Sequence, residues 1–344
     1  MLFAIISPTP IKFNCEKQLL FLQNKCNPAA ETVARVSELV ISIGVIGTFG
    51  LVLFSSCLSL VTDYGHLLIR NKKLGRIKAG IYEENRMAKR TAGQLMKSQN
   101  YLIVGLGSVG SNLCYYLNGY NNAKFALVDP DNLTVDNIGR HLLGFNYIDQ
   151  QKASAVAEYL TLYRPDRKVD AIAKHVEELS KDQINKASAI FLCTGDIMSE
   201  KWLLDKLRRK EVSIPSFILW LEPYGVSGIM IYVNPSEEDV IKKLTVTARG
   251  SFLCYCLIDS SEYETDKLIQ RDAGCNGSYA LYSANDVTLF LSAMFQHIDR
   301  LLETPSNSKV YRWVGNIEIA TKKNIQLVAD AVGLRKNSVQ ELPL

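Results

Sequence analysis

Residues 101–140 read YLIVGLGSVGSNLCYYLNGYNNAKFALVDPDNLTVDNIGR, and this stretch decides the fold. A β-branched apolar run, Tyr101 to Val104, meets the turn Gly105-Leu-Gly107-Ser-Val-Gly110. A helical stretch follows, then a second apolar run, Lys124 to Val128, which ends in Asp129-Pro-Asp131. Strand, glycine-rich turn, helix, strand and acid in this order predict a nucleotide-binding βαβ unit. The glycines let the main chain approach phosphates, the amides opening the helix point at the anion, and an acid at the next strand end takes ribose hydroxyls. By itself the unit specifies a nucleotide and nothing narrower.

The polar residues beyond the acid narrow the chemistry. Asn137 lies 6 and Arg140 lies 9 positions after Asp131, Lys152 lies 12 beyond Arg140, and Asp196 lies 44 beyond Lys152, each at the end of an element. A hydride-transfer site has no need of two cations beside the phosphates. A site that cleaves ATP does, because charge builds on the α-phosphorus and on departing pyrophosphate, and Arg140 and Lys152 are suited to stabilise it. Asp196 follows the apolar strand Ser188 to Leu192 and its Cys193-Thr-Gly tail, a place from which a carboxylate can hold magnesium.

The segments GLGSVG, DPDNLTVDNIGR, Lys152 and CTGD, in this order and spacing, resemble the adenylation domain of ubiquitin-activating enzymes and their ThiF/MoeB/HesA relatives. More narrowly, NIGRHLLG, then WLEPYGVSG at 220–228, then RDAGC ahead of a long helix, are similar to the activating enzymes of bacterial antiphage (CBASS-type) and related ubiquitin-like operons. The likeness covers about residues 86–315. It implies a Rossmann-like, doubly wound and mostly parallel sheet with antiparallel strands at its C-terminal end. It also implies ATP with Mg2+, the ribose on Asp131 and Asp129, phosphates near Asn137, Arg140 and Lys152, and the metal on Asp196. The substrate it implies is a ubiquitin-like protein ending in glycine, whose activated carboxylate passes to a cysteine. Homodimerisation is implied as well, with Arg90 or Arg86, on a helix ahead of the first strand, reaching the partner's phosphates. The antiphage relatives often fuse a conjugating domain ahead of the adenylation domain. The 80 or so residues before the resemblance are too few for that, so the conjugating enzyme is expected to be a separate chain.

A thiolate that captures an acyl-adenylate keeps the acyl group reactive as a thioester. In the resembled families the catalytic cysteine directly precedes the long helix, which assigns the role to Cys275, in Asp272-Ala-Gly-Cys-Asn-Gly, ahead of a helix expected from about Ser283 to Leu302. If that helix begins near Cys275, its first amides lower the thiol pKa. Cys254 and Cys256 sit among Phe252, Leu253 and Leu257 and read as buried structural cysteines or as the alternative nucleophile. Their CxC spacing is a poor zinc signal. Cys193 reads as core packing. His141, next to Arg140, is within reach of a phosphate but reads more readily as a helix-surface or capping histidine.

Composition is compatible with these expectations and excludes others. A net charge of +4, scattered over 344 residues, gives no footprint for nucleic acid. Eight cysteines without regular spacing fit a reducing cytoplasm rather than a disulfide framework. Three regions are expected: an apolar N-terminal segment (1–80), an adenylation domain (81–320) containing the cysteine segment 235–283, and a C-terminal tail (321–344). Residues 39–61, LVISIGVIGTFGLVLFSSCLSLV, carry no charge and are long enough to span a bilayer, with five lysines and arginines following between Arg70 and Lys78. Gly44, Gly47 and Gly50 and five Ser or Thr residues within the run favour instead two or three buried strands joined by tight turns. Two other functions share part of the pattern. A sulfur-carrier adenylyltransferase uses every ATP residue without the thioester, and an NAD-dependent oxidoreductase shares only the glycine turn and acid.

Overall fold

The computed structural model describes residues 86, 89–90, 99–119, 123–271 and 278–344, all but Arg86 within one compact unit, 87–344. Eight strands form one sheet in the order β10-β9-β6-β5-β4-β1-β2-β3. Its parallel part comprises β1 (Gln99–Val104), β2 (Ala123–Val128), β3 (Lys168–Ile172), β4 (Ala189–Leu192) and β5 (Ser216–Leu221). Their spatial order 3-2-1-4-5 is that of a doubly wound Rossmann-type sheet. Beyond β5 the sheet turns antiparallel through β6 (Ser227–Val233), β9 (Lys309–Val314) and β10 (Val339–Leu342). The expected fold class, with antiparallel strands at the C-terminal end, is the observed one.

The crossovers are helical: α1 (Ser108–Leu117) joins β1 to β2, and α2 (Lys152–Tyr163) joins β2 to β3. The short α3 (Lys181–Ile184) precedes β4, and α4 (Ile197–Arg208) precedes β5. Later come α5 (Glu238–Thr247), the hairpin β7 (Ile269–Arg271) with β8 (Ser278–Ala280), the 20-residue α6 (Ala284–Glu303) and α7 (Glu318–Lys323).

Strand β1 reads as an unbroken apolar run because both of its faces are covered. Tyr101 and Ile103 point into one layer with Leu113 and Leu117 of α1, Val156 and Leu160 of α2, and Phe290, Met294 and Ile298 of α6. Leu102 and Val104 point into the other, with Leu203 and Leu207 of α4 and Ile241 and Leu244 of α5. The pleat sends successive residues to opposite faces, so one strand seals two cores at once. A third cluster, centred on Leu257, Ile258, Val314 and Ile325, ties the segment after α5 to the chain beyond β9.

The C-terminal tail supplies strand β10, which pairs with β9 from Val339↔Trp313 to Leu342↔Val310. The two outermost strands carry charge: Lys168 and Asp170 on β3, exposed, and Glu341 on β10. Among the described residues no helix is long and apolar enough to cross a membrane. The stretch 39–61 lies outside them.

Candidate active site

The site is built first by the turn that leaves β1. Gly105 has φ +81, and a Cβ there would lie 2.8 Å from the Thr194 amide nitrogen, so the turn is pressed against the segment after β4. A Cβ on Gly110 would stand 1.9 Å from the Gly105 carbonyl oxygen, so the first turn of α1 closes directly on the loop. Gly107 is different in kind: a Cβ there would meet nothing within 4 Å. Gly107 is also the N-cap of α1, with no side-chain cap and no acid in the first turn, so free amides and the positive end of the helix dipole face that open space. Such an arrangement is able to hold a phosphate group.

The peptide of Leu106, between the two glycines, is gripped at both ends. Its amide donates to Asp129 Oδ2 at 2.6 Å, and its carbonyl lies 2.7 Å from His141 Nε2. His141 Nδ1 accepts from the Leu143 amide at 3.0 Å, which assigns the proton to Nε2 and makes the imidazole neutral. Burial pushes its pKa down to about 4. His141 is therefore a buried strut and neither a surface histidine nor a helix cap. Asp129 Oδ1 accepts from the Asp131 amide at 2.9 Å, so both carboxylate oxygens of Asp129 are engaged in shaping the loop. Burial raises its pKa, with the Lys152 charge and these two amides working against the rise.

Asp131 differs from Asp129. Its side chain is 65% exposed and pairs at 2.9 Å with the Lys152 ammonium, itself 10% exposed. The helix bearing Lys152 is seated beside Asp131 by the main chain, with the Lys152 amide on the Asp131 carbonyl and a bridge between Asn132 and Gln151. The structure thus joins Gly105, Gly107, Gly110, Asp129, Asp131 and Lys152 through direct contacts or main-chain bonds. Asn137, expected at the phosphates, has its side-chain oxygen on the amide and hydroxyl of Thr134, capping a short 3-10 turn at Val135–Asn137. Asp196 is the N-cap of α4, taking the amide and hydroxyl of Ser199 on Oδ2 at 3.0 and 2.9 Å. Partial burial works against its charge, yet these bonds prevail and keep the carboxyl below its usual range. No group of three or more metal-ligating side chains occurs among the described residues.

Arg140 is held in a ring of four residues. Its guanidinium donates to the Ala280 carbonyl at 2.6 Å and lies 4.5 Å over the Tyr282 ring. The Tyr282 hydroxyl is 2.7 Å from Ser108 Oγ, at the first residue of α1. Asn112 closes the ring, donating to the carbonyls of Ser108 and Arg140 at 2.7 and 3.1 Å. Neither Tyr282 nor Asn112 stands out in the sequence, because the contacts that bind them to the site span 174 positions, from Tyr282 to Ser108, and 28, from Asn112 to Arg140.

The expected nucleophile Cys275 lies outside the described residues. The helix expected just after it begins at Ala284, with Ser283 as N-cap in a reciprocal pair with Asp286, and β8 intervenes in sequence. Cys256 and Cys193 are buried, and burial pushes both thiols up, whereas Cys254 is exposed. Arg86 and Arg90 are helical and exposed. A further residue missed in the sequence is Glu222, 1% exposed at the end of β5. It accepts from the amides of Leu257 and Ile258 at 2.8 and 3.0 Å, from the Tyr263 hydroxyl at 2.8 Å, and from Ser227 Oγ. A carboxylate closing an otherwise apolar strand was its signal, since a buried charge requires partners.

A 3-2-1-4-5 sheet, a glycine turn opening on a bare helix N-terminus, and acids at the ends of β2 and β4 define a nucleotide-binding α/β domain. Within that class, residues 82–248 match the ThiF family model, and the chain carries a ThiF family domain. It is 30% identical over 236 residues to the ATP-dependent ubiquitin transferase-like protein Cap2 of Enterobacter hormaechei, covering 65% of this chain and 36% of that protein. It is 25% identical over 147 residues to the sulfur carrier protein ThiS adenylyltransferase of Escherichia coli, covering 42% of this chain and 57% of the other. The chain thus spans only a part of these relatives, a little over half in the second case. The crystal structure of E. coli MccB with ATP superposes with a TM-score of 0.45 at 11% identity, over 67% of this chain and 63% of that one.

Proposed function

We propose that this chain is an ATP-dependent activating enzyme for a ubiquitin-like protein in a bacterial conjugation pathway of the antiphage kind. The C-terminal carboxylate of that protein, ending in glycine, attacks the α-phosphorus of ATP, and pyrophosphate departs with the bridging oxygen. Cys275 then attacks the acyl carbon, AMP leaves, the thiol proton passes to solvent, and the thioester is handed to a cysteine of a separate conjugating enzyme.

The observation that carries the adenylation step is the open face of Gly107 on an uncapped helix start, with Arg140 tied to that start through Tyr282. The amides of α1 and the Ser108 hydroxyl bind phosphate oxygens, and Arg140 and Lys152 offset charge that builds at the α-phosphorus. Asp131 takes the ribose, whereas Asp129 contributes by holding the loop. Magnesium, on Asp196, would neutralise triphosphate charge when bound. An arginine ahead of β1, Arg90 or Arg86, completes the phosphate contacts of a second copy in a homodimer. The Cap2 relative supports a ubiquitin-like substrate. The ThiS relative favours one alternative, adenylation of a sulfur-carrier protein with no thioester on this chain.

Intact-mass measurement of the full chain mixed with Mg-ATP and a candidate β-grasp protein separates these readings. A thiol-labile adduct at the summed mass, lost in Cys275→Ala while adenylate formation persists, is the expected result. Adenylate without any adduct selects the sulfur-carrier reading, and no ATP turnover with any candidate overturns both.

A further inference from the structure

Tyr282 belongs to neither the glycine turn nor any strand end; it occupies the short link between β8 and the N-cap Ser283 of α6. Its place is nonetheless fixed by main-chain bonds on both sides. The Ala280 carbonyl accepts from Arg140, the Leu281 carbonyl accepts from the Tyr224 amide, and Ser283 is locked to Asp286. From there one phenol touches two groups at once: its ring lies under the Arg140 guanidinium, and its hydroxyl meets Ser108 Oγ.

Ser108 opens the helix beside the Gly107 space, and Arg140 is tied to it through this phenol. An arginine side chain is otherwise rich in rotamers, and stacking on an aromatic face removes many of them before ligand arrives. The hydroxyl pair has a polarity that ligand can set. When Tyr282 donates to Ser108 Oγ, the serine proton is left free to donate onward to an anion, and a chain of hydrogen bonds running one way strengthens each member. Asn112 holds only the main chains of Ser108 and Arg140, so the aim of the arginine side chain falls to Tyr282 and the Ala280 carbonyl.

We infer that Tyr282 is a positioning residue of the adenylation site, presenting Arg140 and Ser108 to the phosphates of ATP in one preformed arrangement. This rests on the proposed reading of the glycine turn as an ATP site. Tyr282 itself transfers no proton to substrate and touches no reacting atom; it acts through the other two residues.

The test is direct binding of ATP to the full-length protein by calorimetry, with wild type, Y282F, Y282L, R140A and the double variant R140A/Y282L, each first checked for an unchanged thermal midpoint. Y282L is expected to weaken ATP binding roughly 3- to 30-fold, the worth of one lost cation–π contact and its hydroxyl. Y282F keeps the ring and recovers most of that loss. In the R140A background the further loss from Y282L shrinks to what the Ser108 contact alone supplies, which a merely structural tyrosine would not show. Equal affinities for wild type and Y282L, or equal losses from Y282L with and without Arg140, overturn the positioning role while leaving the ATP site in place. Failure of wild type itself to bind ATP overturns the site and the inference together. Should Y282L fail to fold, Y282F decides in the same calorimetry: a residual loss of about twofold, the part the hydroxyl supplies once the ring is kept, supports the relay through Ser108, and an affinity equal to wild type refutes it.

Discussion

The Nε2 of His141 and the carbonyl oxygen of Leu106, 35 residues apart in the chain, are joined at 2.7 Å, so the loop expected to bind phosphate hangs on a neutral imidazole. The folded imidazole titrates near 4 and an unfolded one near 6.5. A base with a depressed folded pKa leaves stability intact above about pH 6.5. Stability is lost as pH falls from there towards 4, where the unfolded chain binds a proton that the folded chain refuses. The loss amounts to roughly 3 kcal/mol. Asp129, raised by burial, shifts stability the opposite way at the acid end of this window. Denaturant midpoints of wild type and His141→Gln from pH 7 to 4 isolate the histidine: the variant, less stable at pH 7, should lose its disadvantage as the pH drops. Parallel curves contradict the assignment.

Two glycines of the same turn should fail in different ways. Gly110→Ala forces a methyl to 1.9 Å from the Gly105 carbonyl, so it should cost about 3 kcal/mol or more and lower the melting temperature. Gly107→Ala meets nothing within 4 Å and should melt like wild type while binding ATP poorly, because its methyl fills the phosphate's space. Melting curves paired with nucleotide titrations tell the two apart.

Lys152 and Asp131 form an ion pair with one partner buried and the other largely in water. Lys152→Ala should therefore reduce stability by less than about 1 kcal/mol. The effect on pyrophosphate exchange should be much larger, roughly tenfold or more, if the ammonium serves the phosphates. A large fall in stability with unchanged exchange would make Lys152 a structural residue.

Glu222→Gln replaces a carboxylate whose two oxygens take four donors with an amide that can accept at one oxygen only. The substitution should cost about 2–4 kcal/mol. Hydrogen exchange at the Leu257 and Ile258 amides should accelerate far more than exchange in β1. Uniform acceleration would show that Glu222 stabilises the whole unit rather than this segment.

The frame of the molecule was legible because its strands are buried on both faces. Tyr101–Val104 and Ala189–Leu192 give continuous apolar runs. Helix α4 starts at Ile197 because Asp196, expected as a magnesium ligand, is its N-cap. The site was legible as a set of residue types at element ends, but not as contacts. Asp129 and Asp131 look equivalent in Asp-Pro-Asp, and only the Leu106 amide, 23 positions upstream, distinguishes the loop-holding acid from the exposed one. Tyr282 meets Ser108 across 174 positions, a separation that local patterning does not record. Strand β10 escaped notice because VQEL is too short and too polar to alternate visibly.

The charged rims of the sheet bear on assembly. Two copies could not readily fuse β3 to β3 into a continuous sheet, because Lys168 and Asp170 would have to be stripped of water at the seam. β10, carrying Glu341 in a pair with Lys309, raises the same obstacle at the other rim. Among the described residues the sheet is thereby a poor template for lateral growth, since a strand added at either rim would be laid beside charge.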